Sequence, residues 1–264
     1  MEKIIVCIKG VPKPGSIKVD PETHTLKRES MELILNPNDR PALELSARLK
    51  ETYDAEVIVI SMGPPNVVPL LKYAYALGAD QMILLSDRAF AGSDTLATSY
   101  VLAKAIKKLS PFSLVLMGFK SIDGETAQVP PETAALLGIP SLTNVKNLLK
   151  EKNKWIVIRE NEYGEEEVEV EAPLIVSVSP VAFDYIRPPS LKRLIEVKNK
   201  EPLIWTASDL NLDPQKLGLS GSPTQVVEVY ERKIEMKGNI LEGEPQELVE
   251  KLIEVLKEKT LIKH

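Results

Sequence analysis

A polar loop between two apolar segments carries the side chains of this chain that are best suited to binding chemistry. The loop offers acid, amide, hydroxyl and amine groups beside two glycines, and its candidate members are Gly118, Lys120, Ser121, Ile122, Asp123, Gly124, Glu125, Thr126, Ala127, Gln128 and Val129. Asp123 and Gln128 can bond a ribose or a phosphate, while Gly124 lets a ligand approach the backbone closely. The composition of the loop therefore favours a nucleotide site.

The segments on either side of the loop predict a strand, a loop and a helix in succession. Leu114 to Met117 is a short apolar run typical of a buried parallel strand, and Gly118 ends it. An Ala- and Leu-rich helix follows the loop, and Thr126 is expected to cap it. This geometry directs the first free amides of the helix, with the positive end of its dipole, towards a ligand over the strand ends. Ordinary α/β packing would give the same pattern, so the loop alone leaves both interpretations open.

The composition is that of an ordinary globular protein, since 44% of the 264 residues are hydrophobic and 27% are charged. No apolar run approaches the ~20 residues needed to cross a bilayer, and the first residues resemble a strand rather than a signal peptide, so a cytoplasmic protein is expected. The single cysteine, Cys7, excludes an internal disulfide, and His24 and His264 lack the spacing of a zinc site. The net charge of −5 argues against nucleic acid as a partner.

Alternating strand and helix patterns predict an α/β fold with an open, doubly wound, mostly parallel, Rossmann-like sheet. Strands are expected at 3–9, 56–62, 81–85 and 114–117, with helices at 67–77 and 94–109 and another opened by Asn36, Pro37, Asn38 and Asp39, whose plain role is capping. Residues 10–35 predict a β-hairpin excursion at the sheet edge. Neither GxGxxG nor GxxxxGK[ST] occurs, so any nucleotide is held in another way.

The second half of the chain predicts a hairpin and then an irregular arm. The hairpin arms are expected at 154–159 and 165–171, and a buried strand at 173–179 completes the same sheet. The basic stretch from Phe183 to Lys200 predicts a loop and short helix that project from the body, or simply a solvated face. We expect an α/β domain over residues 1–201 and, over 202–264, an arm that lies on another protein and ends in an amphipathic docking helix at 246–259.

Several motifs together resemble the β subunit of an electron-transfer flavoprotein, and the likeness covers essentially the whole chain. They are the first strand with Cys7, NPND at 36–39, SMGP at 61–64, LGAD at 77–80 and the SIDGETAQV loop at 121–129. The family's β signature is matched from Arg159 through Glu162, Glu166 and Val168 to Pro173 and Ser177, and Tyr163 departs from it in a predicted hairpin turn.

The resemblance implies an adenine-nucleotide-binding domain that forms a heterodimer with a larger α subunit carrying FAD, with the C-terminal arm wrapped around that partner. Carried over by position, the nucleotide contacts would be Cys7, Asn36, Pro37, Asn38, Asp39, Met62 and the loop from Gly118 to Val129. Asn36 and Asp39 would bond the ribose or the adenine edge. For Cys7 and Met62, plain core packing is the alternative, because both residue types are usually buried.

Members of this family hold either AMP or a second FAD in the β subunit, and the segment GSDTLATSY at 92–100 resembles the members that hold FAD and bifurcate electrons from NADH. Asp94, Thr95 and Thr98 would then line the extended half of the FAD, although Asp94 would equally start a helix as its N-cap. NADH oxidation would be an activity of the complex. A membrane-associated quinone oxidoreductase and ferredoxin-type acceptors are candidate further partners, with peripheral attachment to the membrane through such partners.

Two other classes of protein remain as alternatives to an electron carrier. A structural or nucleotide-sensing module of the universal-stress type would share the fold, but it has no need of the long irregular segment after residue 202. A hydrolase is disfavoured because His24 lies in a polar turn and no serine or cysteine stands in a nucleophile-elbow context.

Overall fold

A computed structural model describes residues 2–14, 32–152, 154–224, 238, 240–259 and 261 of the chain. Its contacts divide the chain into two compact units, Met1–Val227 and Glu228–His264. Residues 15–31 of the predicted hairpin excursion, which include His24, residues 225–237 of the predicted arm, and His264 lie outside the described residues. Within the described part of the chain, no helix is long and apolar enough to cross a membrane.

The described residues form the following strands and helices. The strands are β1 (Glu2–Ile8), β2 (Gly10–Pro12), β3 (Leu33–Leu35), β4 (Ala55–Met62), β5 (Gln81–Leu85), β6 (Leu114–Gly118), β7 (Ser141–Glu151), β8 (Lys154–Asn161), β9 (Gly164–Glu171), β10 (Leu174–Val178) and β11 (Leu203–Trp205). The helices are α1 (Arg40–Tyr53), α2 (Val68–Leu77), α3 (Thr95–Lys108), α4 (Val129–Leu137), α5 (Leu191–Glu196) and α6 (Pro245–Glu258).

Nine strands form one sheet in the order β11-β5-β4-β1-β6-β10-β7-β8-β9, and β2 pairs with β3 in a separate antiparallel ribbon. In this order, every pair of neighbouring strands from β11 as far as β7 is parallel. Strands β8 and β9 then add an antiparallel hairpin at one edge. The chain runs from β1 outwards to β4 and β5 and then returns to β6 on the other side of β1. This reversal of direction lies between β1 and β6, and open α/β sheets bind ligands at the carboxyl ends of the strands at such a point.

Helices cover both faces of the sheet, which confirms the predicted doubly wound α/β class. Along β1, Ile4, Val6 and Ile8 pack into the core beneath α1 and α2, whereas Ile5 and Cys7 pack into the core beneath α3 and α4. Alternate side chains point to opposite faces of a strand, and both faces are buried here, so the strand has no polar alternation. This explains why the central strands were recognisable from continuous apolar runs.

Strands β4 to β6 and helices α2 and α3 lie within one residue of their predicted bounds, and the hairpin of β8 and β9 is also confirmed. Two strands were missed. β7 contains polar residues at several positions and is held in the sheet by pairing with β10 and β8. β11 is only three residues long, and it pairs in parallel with β5 at the sheet edge. The first unit therefore continues past the expected boundary at 201/202 to Val227.

The basic segment from 183 to 200 does not project from the body, which corrects the prediction. The guanidinium Nε of Arg187 donates to both carboxylate oxygens of Glu44 in α1, at 3.1 and 3.2 Å. Arg193 donates its Nε to the carbonyl of Tyr75 at the end of α2 and stacks over the Tyr75 ring. Arginine side chains pair with carboxylates and aromatic faces in this way, so two of the basic residues fasten the segment to the helices.

Candidate functional site

The candidate site lies at the carboxyl ends of β1, β4 and β6. The NPND turn precedes α1 and lies against the loop that follows β6, because Asn36 and Asn38 both donate side-chain hydrogen bonds to the carbonyl of Lys120, at 3.1 and 2.8 Å. The start of α3 reaches the far end of the same loop, where Thr95 lies 3.3 Å from Gln128 between side-chain oxygens. Segments far apart in sequence thus meet at the point where the sheet reverses direction.

Asn36 and Asp39 point into the protein. Both are buried, with 1% and 4% of their surface exposed. One oxygen of Asp39 accepts a hydrogen bond from the backbone N–H of Lys9, and the other accepts one from the Asn36 amide, each at 2.7 Å. Neither Asn36 nor Asp39 makes a side-chain cap to the helical turn that it opens, so the expected capping role is wrong. Their hydrogen bonds instead join the end of β1 to the NPND turn.

Gly118 ends β6 where the NPND turn crosses it. A Cβ at this position would lie 2.6 Å from the carbonyl oxygen of Asn38 and closer still to the carboxylate of Asp39. Real Cβ atoms do not approach backbone oxygens so closely. The glycine is therefore needed for packing between the turn and the strand, whether or not it also contacts a ligand.

Two lysines place positive charge beside the loop. Lys9, directly after β1, contacts both carboxylate oxygens of Asp123 through its ammonium group, at 2.7 and 2.8 Å. Although partial burial acts to raise it, the hydrogen bond and charge of Lys9 hold the pKa of Asp123 below its usual value. Lys120 lies 3.6 Å from Glu125. Sequence reasoning missed Lys9, whose position immediately after a buried central strand was the available signal.

The backbone between Thr126 and Val129 offers N–H groups to a ligand. Glu125 and Ala127 have positive φ values of 53° and 55°, and Gln128 follows in a right-handed helical conformation. A left-handed residue followed by a right-handed one turns successive N–H groups towards a common concavity that suits an anion. Within the described residues, no acceptor is recorded for the N–H groups of Thr126, Ala127, Gln128 and Val129.

Helix α4 contributes fewer free N–H groups to this concavity than the sequence predicted. It begins at Val129, its N-cap is Gln128, and no side chain caps it, so the predicted capping by Thr126 is wrong. The next two residues are Pro130 and Pro131, which have no N–H to donate. The free amides consequently belong to the turn before the helix and to its first residue.

The start of α3 is held by a set of polar contacts. Asp94 is the N-cap of α3 and accepts from the N–H of Ala97 at 3.1 Å, as expected. Its other oxygen accepts from the hydroxyl and the N–H of Thr224, at 2.8 and 3.1 Å. These bonds, together with that from the N–H of Leu96, lower the pKa of Asp94 despite the opposing effect of burial. Asp94 is therefore already engaged within the protein.

Glu132 joins α3 to α4. Its two carboxylate oxygens accept from the hydroxyls of Thr95 and Ser99, at 3.2 and 3.1 Å. Neither Ser99 nor Glu132 was recognised from the sequence, although Ser99 stands one helical turn after Thr95 and so shares its face. Thr98 is half-buried, and among the described residues no partner is recorded for its hydroxyl.

Cys7 and Met62 belong to the core beneath α3 and α4. Cys7 is buried in that core, and Met62 is partly buried against it. Burial raises the pKa of the Cys7 thiol to about 12, and the nearby charge of Asp39 makes a smaller contribution in the same direction. Burial also raises the pKa of Asp39 to about 7, against the opposing effect of its hydrogen bonds. The described residues contain no cluster of three or more His, Cys, Asp or Glu side chains that could hold a metal ion.

Comparison with known proteins gives consistent matches over this fold. Residues 23–209 match the electron transfer flavoprotein domain. The chain is 40% identical over 259 residues to the electron transfer flavoprotein subunit beta of Clostridium acetobutylicum, covering 98% of this chain and 99% of that protein. It is 42% identical over 260 residues to the corresponding subunit of Thermoanaerobacterium thermosaccharolyticum, with coverage of 98% and 99%.

A third relative is named as part of a larger assembly. The chain is 40% identical over 262 residues to the caffeyl-CoA reductase-Etf complex subunit CarD of Acetobacterium woodii, covering 98% of this chain and 100% of that protein. The domain match spans most of the chain, and the likeness to β subunits extends over nearly all of it. The chain therefore belongs to the electron transfer flavoprotein family, as a subunit of the β type.

Proposed function

We propose that this β-type subunit binds FAD across the carboxyl ends of β1, β4 and β6 and, in a heterodimer with an α subunit, transfers electrons that originate from NADH along two routes. Family membership implies association with a flavin or nucleotide at the coarse level. The choice of FAD rests on the hydroxyl groups at the start of α3, which extend the polar surface of the loop.

The observation that carries the proposal is the contact between the start of α3 and the loop after β6. Thr95 lies 3.3 Å from Gln128, so the hydroxyl-bearing turn of α3 continues the polar surface of the loop. A dinucleotide requires donors and acceptors beyond its first phosphate, for the second phosphate and the ribityl chain. Thr95 is such a group in contact with the loop, and Thr98 carries a second hydroxyl one helical turn further along α3.

The residues present fit a pyrophosphate. The free N–H groups of Thr126 to Val129 surround a concavity, and the ammonium groups of Lys9 and Lys120, which are paired here with Asp123 and Glu125, lie beside the same loop. FAD held here would supply the chemistry of hydride and single-electron transfer. The chain's own part is to hold the phosphates, to orient the cofactor through α3 and the loop, and to keep water from its buried side with the core that contains Cys7.

The proposed α subunit would cover the apolar face of α6. This helix presents exposed apolar side chains, namely Val249, Leu252, Ile253 and Val255, of which Val249 is 56% exposed. An amphipathic helix with such a face is typical of a segment that docks into a groove on a partner. The name of the relative from Acetobacterium woodii supports function in a complex of several subunits. A quinone oxidoreductase and ferredoxin-type acceptors remain candidate partners.

AMP is the second candidate ligand, and internal contacts favour it. Asp94 is occupied by Ala97 and Thr224, and Thr95 donates to Glu132, so both residues have structural partners that require no flavin. With AMP at the loop, the chain would act as a simple one-electron carrier subunit with a structural nucleotide.

The cofactor content of the co-expressed αβ heterodimer decides between the two ligands. We expect two FAD per heterodimer when the protein is denatured and the released nucleotides are separated by chromatography. Replacing Thr95 and Thr98 with valine should remove one of the two FAD molecules, because the extended half of the cofactor loses its hydroxyl partners. Thr52→Val, an exposed threonine of α1 remote from the site, should keep both. One FAD and one AMP in the wild-type heterodimer would overturn the FAD proposal.

A further inference from the structure

The side chains of Asn36 and Asp39 link three parts of the site through buried hydrogen bonds. The N–H of Lys9 at the end of β1 donates to Asp39, and Asp39 accepts from the Asn36 amide, each at 2.7 Å. The same amide donates to the carbonyl of Lys120 at 3.1 Å, while its oxygen accepts from the N–H of Ile122 at 3.3 Å. The chain of contacts therefore runs from β1 through the NPND turn into the loop after β6.

All the side-chain oxygens in this chain of contacts are used within the protein. Both oxygens of Asp39 accept from N–H groups, and the oxygen of Asn36 accepts from Ile122. The two residues are 4% and 1% exposed. A ligand that bonded either side chain would have to displace the groups that bury it, and any polar group left unpaired there would be costly.

We propose that Asn36 and Asp39 are positioning residues, which fix the loop 118–129 against the end of β1 so that its N–H groups face the nucleotide, and that their side chains do not touch the ligand. This inference rests on the proposed nucleotide site. The N–H groups of the loop make the contacts with the nucleotide, and the buried side chains of Asn36 and Asp39 control the geometry of the loop. Gly118 belongs to the same arrangement, since it alone allows the NPND turn to lie against β6.

Hydrogen exchange of the nucleotide-free heterodimer tests the positioning role directly. After the nucleotide has been dialysed away, amides of residues 119–125 should exchange about tenfold faster in Asn36→Ala and in Asp39→Asn than in the wild type. In Asn36→Ala the N–H of Ile122 loses its acceptor, and in Asp39→Asn the Asn36 amide loses the carboxylate that orients it. Glu44→Gln is the matched control: Glu44 is another buried carboxylate, 3% exposed, with its partners in α1 and at Arg187. It should leave exchange in 119–125 unchanged.

Two results of this experiment would overturn the inference. Unchanged exchange in 119–125 together with weakened nucleotide binding would show that Asn36 and Asp39 contact the ligand directly. Equal acceleration in Glu44→Gln would show that the effect is only general destabilisation. A wild-type heterodimer that carries no nucleotide would contradict the proposed function, while the exchange comparison would still test the chain of contacts.

The pH dependence of nucleotide release provides an independent readout. Asp39 accepts from two N–H donors as a carboxylate, and protonation would turn one oxygen into a donor that faces another donor. Because the pKa of Asp39 is about 7, release from the wild type should become several-fold faster as the pH falls from about 8 to 6. The ionisable groups acting on it are Cys7, Lys9 and Asp123.

Neither Cys7 nor Asp123 should change its charge in this interval, because the pKa of Cys7 is about 12 and that of Asp123 is below its usual value. Asp39→Asn should therefore release the nucleotide quickly and almost equally at both pH values. Asp123→Asn, which loses the contact with Lys9, should release faster and should still release faster in acid, but with its pH dependence displaced to lower pH, because the charge of Asp123 helps to raise the pKa of Asp39. An Asp39→Asn heterodimer with the wild-type pH profile would refute the assignment.

Discussion

At the scale of single residues, the site depends on how closely two backbone segments can approach. Gly118 has no side chain, and the NPND turn occupies the space where a Cβ would stand. The carboxylate of Asp39 and the carbonyl of Asn38 both lie against this position. The carbonyl of Asn38 is backbone and the Asp39 carboxylate is held by two hydrogen bonds, so neither can move aside easily and a larger residue at 118 is costly.

Gly118→Ala should destabilise the chain by about 2 kcal/mol and loosen the loop, because the new methyl group must displace the NPND turn. Urea unfolding followed by circular dichroism would measure the change. Gly124→Ala is the control, since its Cβ would meet only the Ser121 hydroxyl at 3.4 Å, and its stability should stay within about 0.5 kcal/mol of the wild type. Equal stability of Gly118→Ala and the wild type would contradict the packing account.

At the scale of elements, the segment from 183 to 200 shows how a basic, irregular stretch is held on a helical surface. Arg187 pairs with Glu44 and Glu51 of α1, and Arg48 lies over the ring of Phe183 at 4.3 Å. Arg193 reaches the carbonyls of Tyr75 and Ala79 at the end of α2. Cations at a helix C-terminus are favoured by the helix dipole and by the free carbonyls there.

Arg187→Ala should destabilise the chain by roughly 2 kcal/mol, because Glu44, whose side chain is 1% exposed, would keep only Arg48 as its charged partner. Lys192→Ala should have almost no effect, since the Lys192 side chain is 84% exposed. Thermal unfolding at neutral pH would compare the two variants.

The sign of the pH dependence follows from the pKa of Glu44. Burial acts to raise that pKa, but Arg48 and Arg187 lower it below its usual value overall. A lowered pKa in the folded state stabilises the protein above the pKa of the unfolded chain, and the stabilisation is lost as the pH falls through the folded value. The defect of Arg187→Ala should therefore shrink in acid, and a defect that grew in acid would contradict this account.

At the scale of the whole molecule, the chain consists of a sheet-containing unit and a second unit in which α6 is the one described helix. The described part of α6 has no buried residue, although one of its faces is apolar. Isolated helices of about this length are marginal in water, so most of the stability of such a helix must come from packing.

Residues 245–258 should exchange their amide hydrogens rapidly in the isolated chain and slowly in the αβ heterodimer. The expected difference is at least tenfold, because docking would bury the face that contains Leu252 and Val255. Mass spectrometry of both samples would measure it, with β1 as a protected reference in each. Strong protection of α6 in the isolated chain would exclude a docking role that depends on the partner.

The sequence alone determined the fold class and predicted a candidate site in the loop after β6, because both inferences depend on local patterns. Continuous apolar runs mark strands that are buried on both faces, and their alternation with helices implies parallel pairing. Helices α2 and α3 and strands β4 to β6 were predicted within one residue for this reason. The composition of the loop after β6 was sufficient to predict a nucleotide site.

Only the tertiary structure decided which polar side chains face inwards and which short segments join the sheet. Asn36 and Lys120 are 84 residues apart, and no local pattern shows that they share a hydrogen bond. β7 and β11 owe their places to pairing with distant strands rather than to their own periodicity. Likewise, Asp39 was expected to cap a helix, and it is buried without a capping bond because β1, the NPND turn and β6 converge around it. Burial and pairing depend on contacts that are remote in sequence, so they become visible only when the chain is folded.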